Sequence, residues 1–320
     1  MTDGGQGTPG ARARGCAHAY GCHTPAVPAF ASATVGARAW LLVEHEGPWA
    51  AYLDECASLP PEVAGLVARA TEAGVRPQLI RRPGARRRDA SARRVYVGWS
   101  AGDSPWLEER VVTDLADLAR LDLDAVARGE RPHFGPLVTE PVALVCTHAK
   151  RNACCARLGL PLARELHDKW PRNVWETTHV GGDRYAANLV CLPHGLYYGS
   201  MSQAAAIAAV EAYRRGEVIL DRLRGRSGIP EPLQAAEHFV RAHTGELALG
   251  GVAVESSVTD GDATEAIVLG GGARYRVVVE RSAFRPCPPA GAPECTDTIA
   301  TYRLALLLEM SRQPATSARA

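Results

Sequence analysis

The chain carries no surplus charge of either sign: 36 basic residues face 35 acidic ones across 320 positions. No overall field draws it to nucleic acid or anionic lipid, and a charged partner has to be recognised by a local patch. No apolar run approaches the roughly 20 residues of a membrane helix. The first 30 residues also lack the basic-then-apolar order of a secretory leader. These absences give three expectations: no nucleic acid, no membrane and a cytoplasmic location. A dinucleotide fingerprint, a Walker A loop and a flavin motif are missing too, so any electrons the protein handles must come from a separate reductase. No pair of carboxylates stands out as the acid and nucleophile of a glycosidase.

What the sequence does have is cysteine, nine in all. The number is odd and the spacing is not that of a small secreted scaffold, and in a reducing compartment such thiols bind metal or react. Cys146, Cys154, Cys155 and Cys191 form a central group, Cys16 and Cys22 lie near the start, and Cys287 and Cys295 near the end. Cys16 and Cys22 have His18 and His23 beside them, but so close a spacing leaves little room for a tetrahedral zinc site.

Composition and periodicity divide the chain. Residues 1–35, rich in Gly, Ala, Pro and Thr, are expected to form a flexible arm. An N-terminal α/β domain is expected over 36–128, with a buried strand at 39–43 and a helix begun by Pro61 and ended by Gly74. Strands at 78–82 and 94–99 and a helix at 114–127 complete it. A basic loop, Arg81, Arg82, Arg86, Arg87 and Arg88 followed by Arg93 and Arg94, is a solvated hairpin tip or a docking surface for an acidic redox partner.

After a Pro- and Gly-containing connection at 129–140, a second domain is expected over 141–224. Its opening apolar strand runs straight into Cys146, which places a thiol at the C-terminal edge where α/β folds carry their sites. A helix at 155–170, a strand at 173–178, a hairpin at 188–200 and a helix at 203–215 follow, the order of a thioredoxin-like domain. A small α+β unit over 231–310 closes the chain, with one helix and several strand-like runs.

The chemistry concentrates in two stretches. One reads Cys146-Thr-His-Ala-Lys-Arg-Asn-Ala-Cys154-Cys155, the other His179-Val-Gly181-Gly182-Asp183-Arg184-Tyr-Ala-Ala-Asn188-Leu-Val-Cys191. Thiolates at the two ends of the first loop can meet one iron, His179 can approach from the neighbouring strand, and Gly181-Gly182 lets backbone come close to an inorganic core. Arg184, Tyr185 and Asn188 read as residues that fix the loop. His148 and His194 read as surface or turn histidines. Cys154 and Cys191, taken singly, read as small buried residues.

These motifs resemble the sucrase/ferredoxin-like family, a branch of the thioredoxin-like 2Fe-2S ferredoxins. The resemblance is most specific over about residues 141–200 and extends more weakly to 39–50. It implies a thioredoxin-like ferredoxin domain and a 2Fe-2S cluster held by two cysteines and a His-x3-His pair. Here the second member of that pair is Asp183. Carboxylate is a hard ligand for a soft site, so Cys154, Cys191, Cys287 and Cys295 stand beside Asp183 as choices for the fourth position. The expected function is electron transfer between a reductase and an acceptor protein, not catalysis. Two alternatives remain, a thiol-disulfide oxidoreductase, which the missing C-x-x-C motif disfavours, and a structural zinc module.

Overall fold

The computed structural model describes residues 30–84, 92–284 and 299–310. Cys16, Cys22, Cys287, Cys295 and Arg86, Arg87 and Arg88 of the basic loop lie outside the described residues.

The chain folds into a nine-stranded mixed sheet flanked by helices, and a separate four-stranded antiparallel sheet with one helix. The large sheet is built twice over. In its first half β1 (Ala39–Glu44) crosses through α1 (Pro61–Glu72) to the parallel strand β2 (Val75–Arg81). The antiparallel strands β3 (Arg93–Trp99) and β4 (Trp106–Val112) then add on the far side of β1. In its second half β5 (Val142–Cys146) crosses through α3 (Ala153–Lys169) to the parallel strand β6 (Val174–Thr177). There β7 (Leu189–Leu192) and β8 (Leu196–Tyr198) add on the far side of β5, and β9 (Leu223–Arg226) extends the edge. A short α2 (Leu123–Ala127) follows the first hairpin and α4 (Gln203–Arg214) the second. The halves join where β2 runs antiparallel to β6, pairing Ile80 with Thr177 and Arg81 with Glu176. The two α/β units read from the sequence thus share one continuous sheet.

The central strands are buried on both sides. Leu41, Leu42, Leu144, Val145 and Trp175 are buried, as near-continuous apolar runs between parallel neighbours require. One helix was expected over 114–127; the chain instead makes a 3-10 turn (Leu115–Arg120) and then α2. Each has its own aspartate cap, Asp114 accepting from Ala116 N–H and Asp122 from Ala125 N–H at 2.9 Å.

In the appendage, α5 (Glu231–Thr244) lies across a meander of β10 (Val252–Asp260), β11 (Ala263–Gly270), β12 (Ala273–Phe284) and β13 (Ile299–Met310). Ala235, Ala236 and Val240 of α5 pack on Val268, Val277 and Val279. Among the described residues no helix is long and apolar enough to cross a membrane.

Candidate metal centre

Strand β5 ends on Cys146, whose N–H donates to Asn188 O at 3.1 Å. The chain then turns back, and Asn152 caps α3, its Oδ1 accepting from Cys154 N–H at 3.1 Å. That cap fixes the first helical turn, and with it Cys155. Strand β6, parallel to β5, leads through Thr177 and Thr178 to His179.

The three donors converge. His179 Nδ1 lies 4.0 Å from Cys146 Sγ and 3.9 Å from Cys155 Sγ. All three donor atoms fall within 4.8 Å of one another, a group able to hold a metal ion. Both cysteines are fully buried and His179 is half-buried, so only the imidazole reaches toward solvent. Cys155 donates to the Cys146 sulfur, and this bond with His179 beside it holds Cys146 well below the usual thiol range despite burial. The same bond pushes Cys155 up.

The backbone of His179 is held from both sides. Its N–H donates to His148 Nδ1 at 3.1 Å, and His148 Nε2 in turn donates to Ala50 O at 2.7 Å. These two bonds assign the neutral tautomer with its proton on Nε2, and burial lowers the His148 pKa accordingly. The His179 carbonyl accepts from Arg76 Nη2 at 3.3 Å and Gln78 Nε2 at 3.5 Å, both on β2 of the first half. Beside the imidazole lies an open groove of about 280 Å³, lined by Tyr52, Arg76, Gln78, His148 and Arg151 among others. His148, expected at the surface or in a turn, is 3 % exposed. His194 is half-buried against Tyr213 at 2.7 Å.

The other sequence candidates fall elsewhere. Cys154 is buried beside the site, with two acceptors in reach of its single S–H, Asn152 Oδ1 at 2.8 Å and Asp183 O at 3.2 Å. Asp183 turns its carboxylate to Asn152, accepting from Nδ2 at 2.5 Å. Cys191 sits on the opposite face of the sheet, packed with Ala143 and Val145, whereas Cys146 packs with Val142 and Leu144. Strand alternation makes that separation unavoidable. Gly181 and Gly182 both adopt positive φ, 96° and 69°, which glycine reaches without strain. Arg184 lines a separate hollow with Thr34, Tyr185 and Ile299. The basic-loop residues that are described serve the fold: Arg81 pairs with Glu176 at 2.8 Å, and Arg82 stacks on Trp175.

Sequence reading missed three contributors, Arg76, Gln78 and Arg224. Arg224 is 2 % exposed, and its Nη1 donates to Gly181 O and to Asn188 Oδ1. Each reaches the site only through strand order, which no local motif encodes.

Comparison with known proteins covers the same region. A sucrase/ferredoxin-like family model matches residues 39–225, which takes in all nine strands of the large sheet but for the last residue of β9. The chain is also similar to altered inheritance of mitochondria protein 32 of Meyerozyma guilliermondii, 28 % identical over 99 residues. That stretch is 28 % of this chain and 35 % of the relative, so only about a third of the relative's length is spanned. No solved structure matches. With the family model covering more than half of its length, the chain belongs to the sucrase/ferredoxin-like family.

Proposed function

We propose that the protein is an electron carrier whose Cys146, Cys155 and His179 hold a 2Fe-2S cluster in a thioredoxin-like second half. The observation that carries this reading is the convergence of two fully buried sulfurs and one half-buried imidazole within 4.8 Å. The donor set fits: thiolates are the normal ligands of such clusters, and imidazole replaces them in the higher-potential kind. When bound, the cluster would supply a one-electron couple. The protein's own residues shield the sulfurs from water and leave the His179 edge as the exit toward a partner. Cys154 and Asp183 lie beside the cluster site and are the nearby choices for a fourth ligand. The remaining parts of the reading are a separate reductase, an acceptor protein and a cytoplasmic setting.

A single structural zinc ion is the second reading, and one observation favours it. Bonds of about 2.3 Å to sulfur and 2.0–2.1 Å to nitrogen at tetrahedral angles separate donors by roughly 3.6 Å. The 3.9 and 4.0 Å found here are close to that value. Donors spaced this closely suit a single ion without rearrangement. Against zinc, structural sites are closed by four protein ligands, and among the described residues three donors converge here.

Iron, sulfide and zinc analysis of anaerobically purified protein, with electron paramagnetic resonance after reduction, separates the two. Iron and sulfide in equal amounts, with a signal lost in Cys146→Ala, Cys155→Ala and His179→Ala, is the expected result. A colourless protein with stoichiometric zinc would overturn the cluster reading, and titratable thiols without metal would overturn both.

A further inference from the structure

Arg224 is among the largest fully buried side chains of the protein. Burying an ion is costly unless a counter-charge and hydrogen bonds replace the lost water. The hydrogen bonds are present. Nε donates to Ser32 Oγ at 3.1 Å, Nη1 to Gly181 O at 3.2 Å and to Asn188 Oδ1 at 2.8 Å, and Nη2 to Ser32 O. The tyrosine rings of Tyr185 and Tyr197 lie over the guanidinium at 4.8 and 5.3 Å. All of these partners are neutral. Among the described residues no carboxylate forms an ion pair with Arg224.

The space it occupies is reserved by glycine. A Cβ on Gly182 would overlap Arg224 Nη2, and one on Gly199 would stand 2.8 Å from Cδ. A neutral side chain would fill this place at lower cost, so the charge itself needs a reason.

The reason lies in what the arginine holds. Gly181 follows His179 by two residues, and Asn188, which receives the other Nη1 bond, accepts from Cys146 N–H through its own carbonyl. Asn188 Nδ2 also donates to Gly182 O at 2.9 Å. One guanidinium therefore braces the loop that follows His179 and, through Asn188, the strand end that carries Cys146. The anionic groups close enough to act on it are Asp183 and the Cys146 sulfur.

We propose that Arg224 is a positioning residue that acts as the fixed counter-charge of the metal centre, favouring its reduced, more negative form. This rests on the cluster reading above. Arginine suits the task because its guanidinium stays protonated in proteins, so the charge persists whatever the redox state. When the centre accepts one electron from a reductase, one unit of negative charge is added beside a permanent cation in a water-free setting, where Coulomb attraction is strong.

The test compares wild type with Arg224→Gln, Arg224→Lys and Ser32→Asp, measuring iron and sulfide content, circular dichroism and reduction potential. Ser32→Asp leaves the arginine in place and sets a carboxylate beside it. The expected result is full cluster content with a tenfold or larger shift of the reduction equilibrium toward the oxidised form, about 59 mV for a one-electron couple, in Arg224→Gln and Ser32→Asp. Arg224→Lys keeps the charge and should stay near wild type. Equal potentials in wild type, Arg224→Gln and Ser32→Asp would overturn the proposal. So would a shift in Arg224→Lys as large as in Arg224→Gln, since the arginine would then act through its fork alone. If Arg224→Gln fails to fold, Ser32→Asp decides. A wild type without iron and sulfide overturns the cluster reading and this inference together, whereas a wild-type cluster with insensitive potentials overturns this inference only.

Discussion

Gly159 lies inside α3, where replacing glycine by alanine ordinarily stabilises a helix by about 0.8–1.0 kcal/mol. The structure reverses that sign. A Cβ at 159 would stand against the Cys146 carbonyl oxygen, more than about 1 Å inside an ordinary carbon–oxygen contact of 3.3–3.6 Å, and 3.2 Å from the carbonyl carbon. The obstacle is backbone at the end of β5, so no side chain can turn aside. Relief requires α3 and β5 to part by about 1 Å, and overpacking of this kind costs about 1–3 kcal/mol, enough to cancel the helix gain and leave a net loss of up to about 2 kcal/mol. The same displacement pulls Cys155, near the start of α3, away from Cys146. Gly65 supplies the control: it is exposed within α1 and a Cβ there meets nothing within 4 Å. Urea unfolding of the two variants should therefore show Gly65→Ala more stable and Gly159→Ala less stable than wild type, with metal content reduced only in the latter. If Gly159→Ala gained stability like Gly65→Ala and kept its metal, the close packing of α3 on the Cys146 carbonyl would be refuted.

Asn152→Ala removes the cap of α3 and the partner of the Asp183 carboxylate; a loss of about 1 kcal/mol and weaker metal retention are expected from unfolding curves and metal analysis. Cys191→Ala should cost on the order of 1 kcal/mol yet leave metal content unchanged, because the side chain faces away from the site; loss of metal in this variant would contradict the strand alternation. His45 and His194 are both pushed down to about 4, chiefly by burial. Their folded pKa values lie below the unfolded value of about 6.5, so the unfolded state binds protons first and stability falls as pH drops from 6.5 toward 4. The urea midpoint should decline across that window, and His45→Gln with His194→Gln should flatten the decline; an unchanged slope would show that other groups govern it.

The sequence made β1, β5 and the convergence of Cys146, Cys155 and His179 legible for a local reason: apolar runs of strand length end on the residues that matter. Strand β4 was not among the expected elements, since its Glu108, Glu109 and Arg110 interrupt an apolar strand pattern. Glu108 is fully buried in fact, accepting from Arg131 Nε at 2.8 Å and from Phe134 N–H at 2.8 Å, and a pattern that counts charges as exposed cannot anticipate such a pairing. The break between Leu115–Arg120 and α2 was signalled by its two aspartate caps, Asp114 and Asp122, which helical periodicity overrode. The support of the site was hidden for a different reason. Arg76 and Gln78 lie about a hundred positions from His179, and Arg224 enters from the far edge strand, so their roles exist only once the strand order is known.

That order also explains why the first half of the sheet is needed at a site whose donors all come from the second. The strand sequences β2-β1-β3-β4 and β6-β5-β7-β8 repeat one topology, and their joining strands run antiparallel. The last residue of β1 is Glu44 where that of β5 is Cys146, so the thiol chemistry belongs to one copy. In a lone parallel pair the C-terminal edge opens to solvent, which is why α/β folds place ligands there. Here the antiparallel junction pairs the end of β2 with the end of β6, so the earlier residues of β2 run beside the segment that follows β6. Arg76 and Gln78 then hold the His179 carbonyl, while Ala50, just beyond β1, holds His148. Separated from β2, strand β6 would become an open edge and the His179 backbone would lose these bonds to the other half. The unit that fixes the imidazole is thus the pair of halves: one brings the donors, and the other keeps them where a metal can use them.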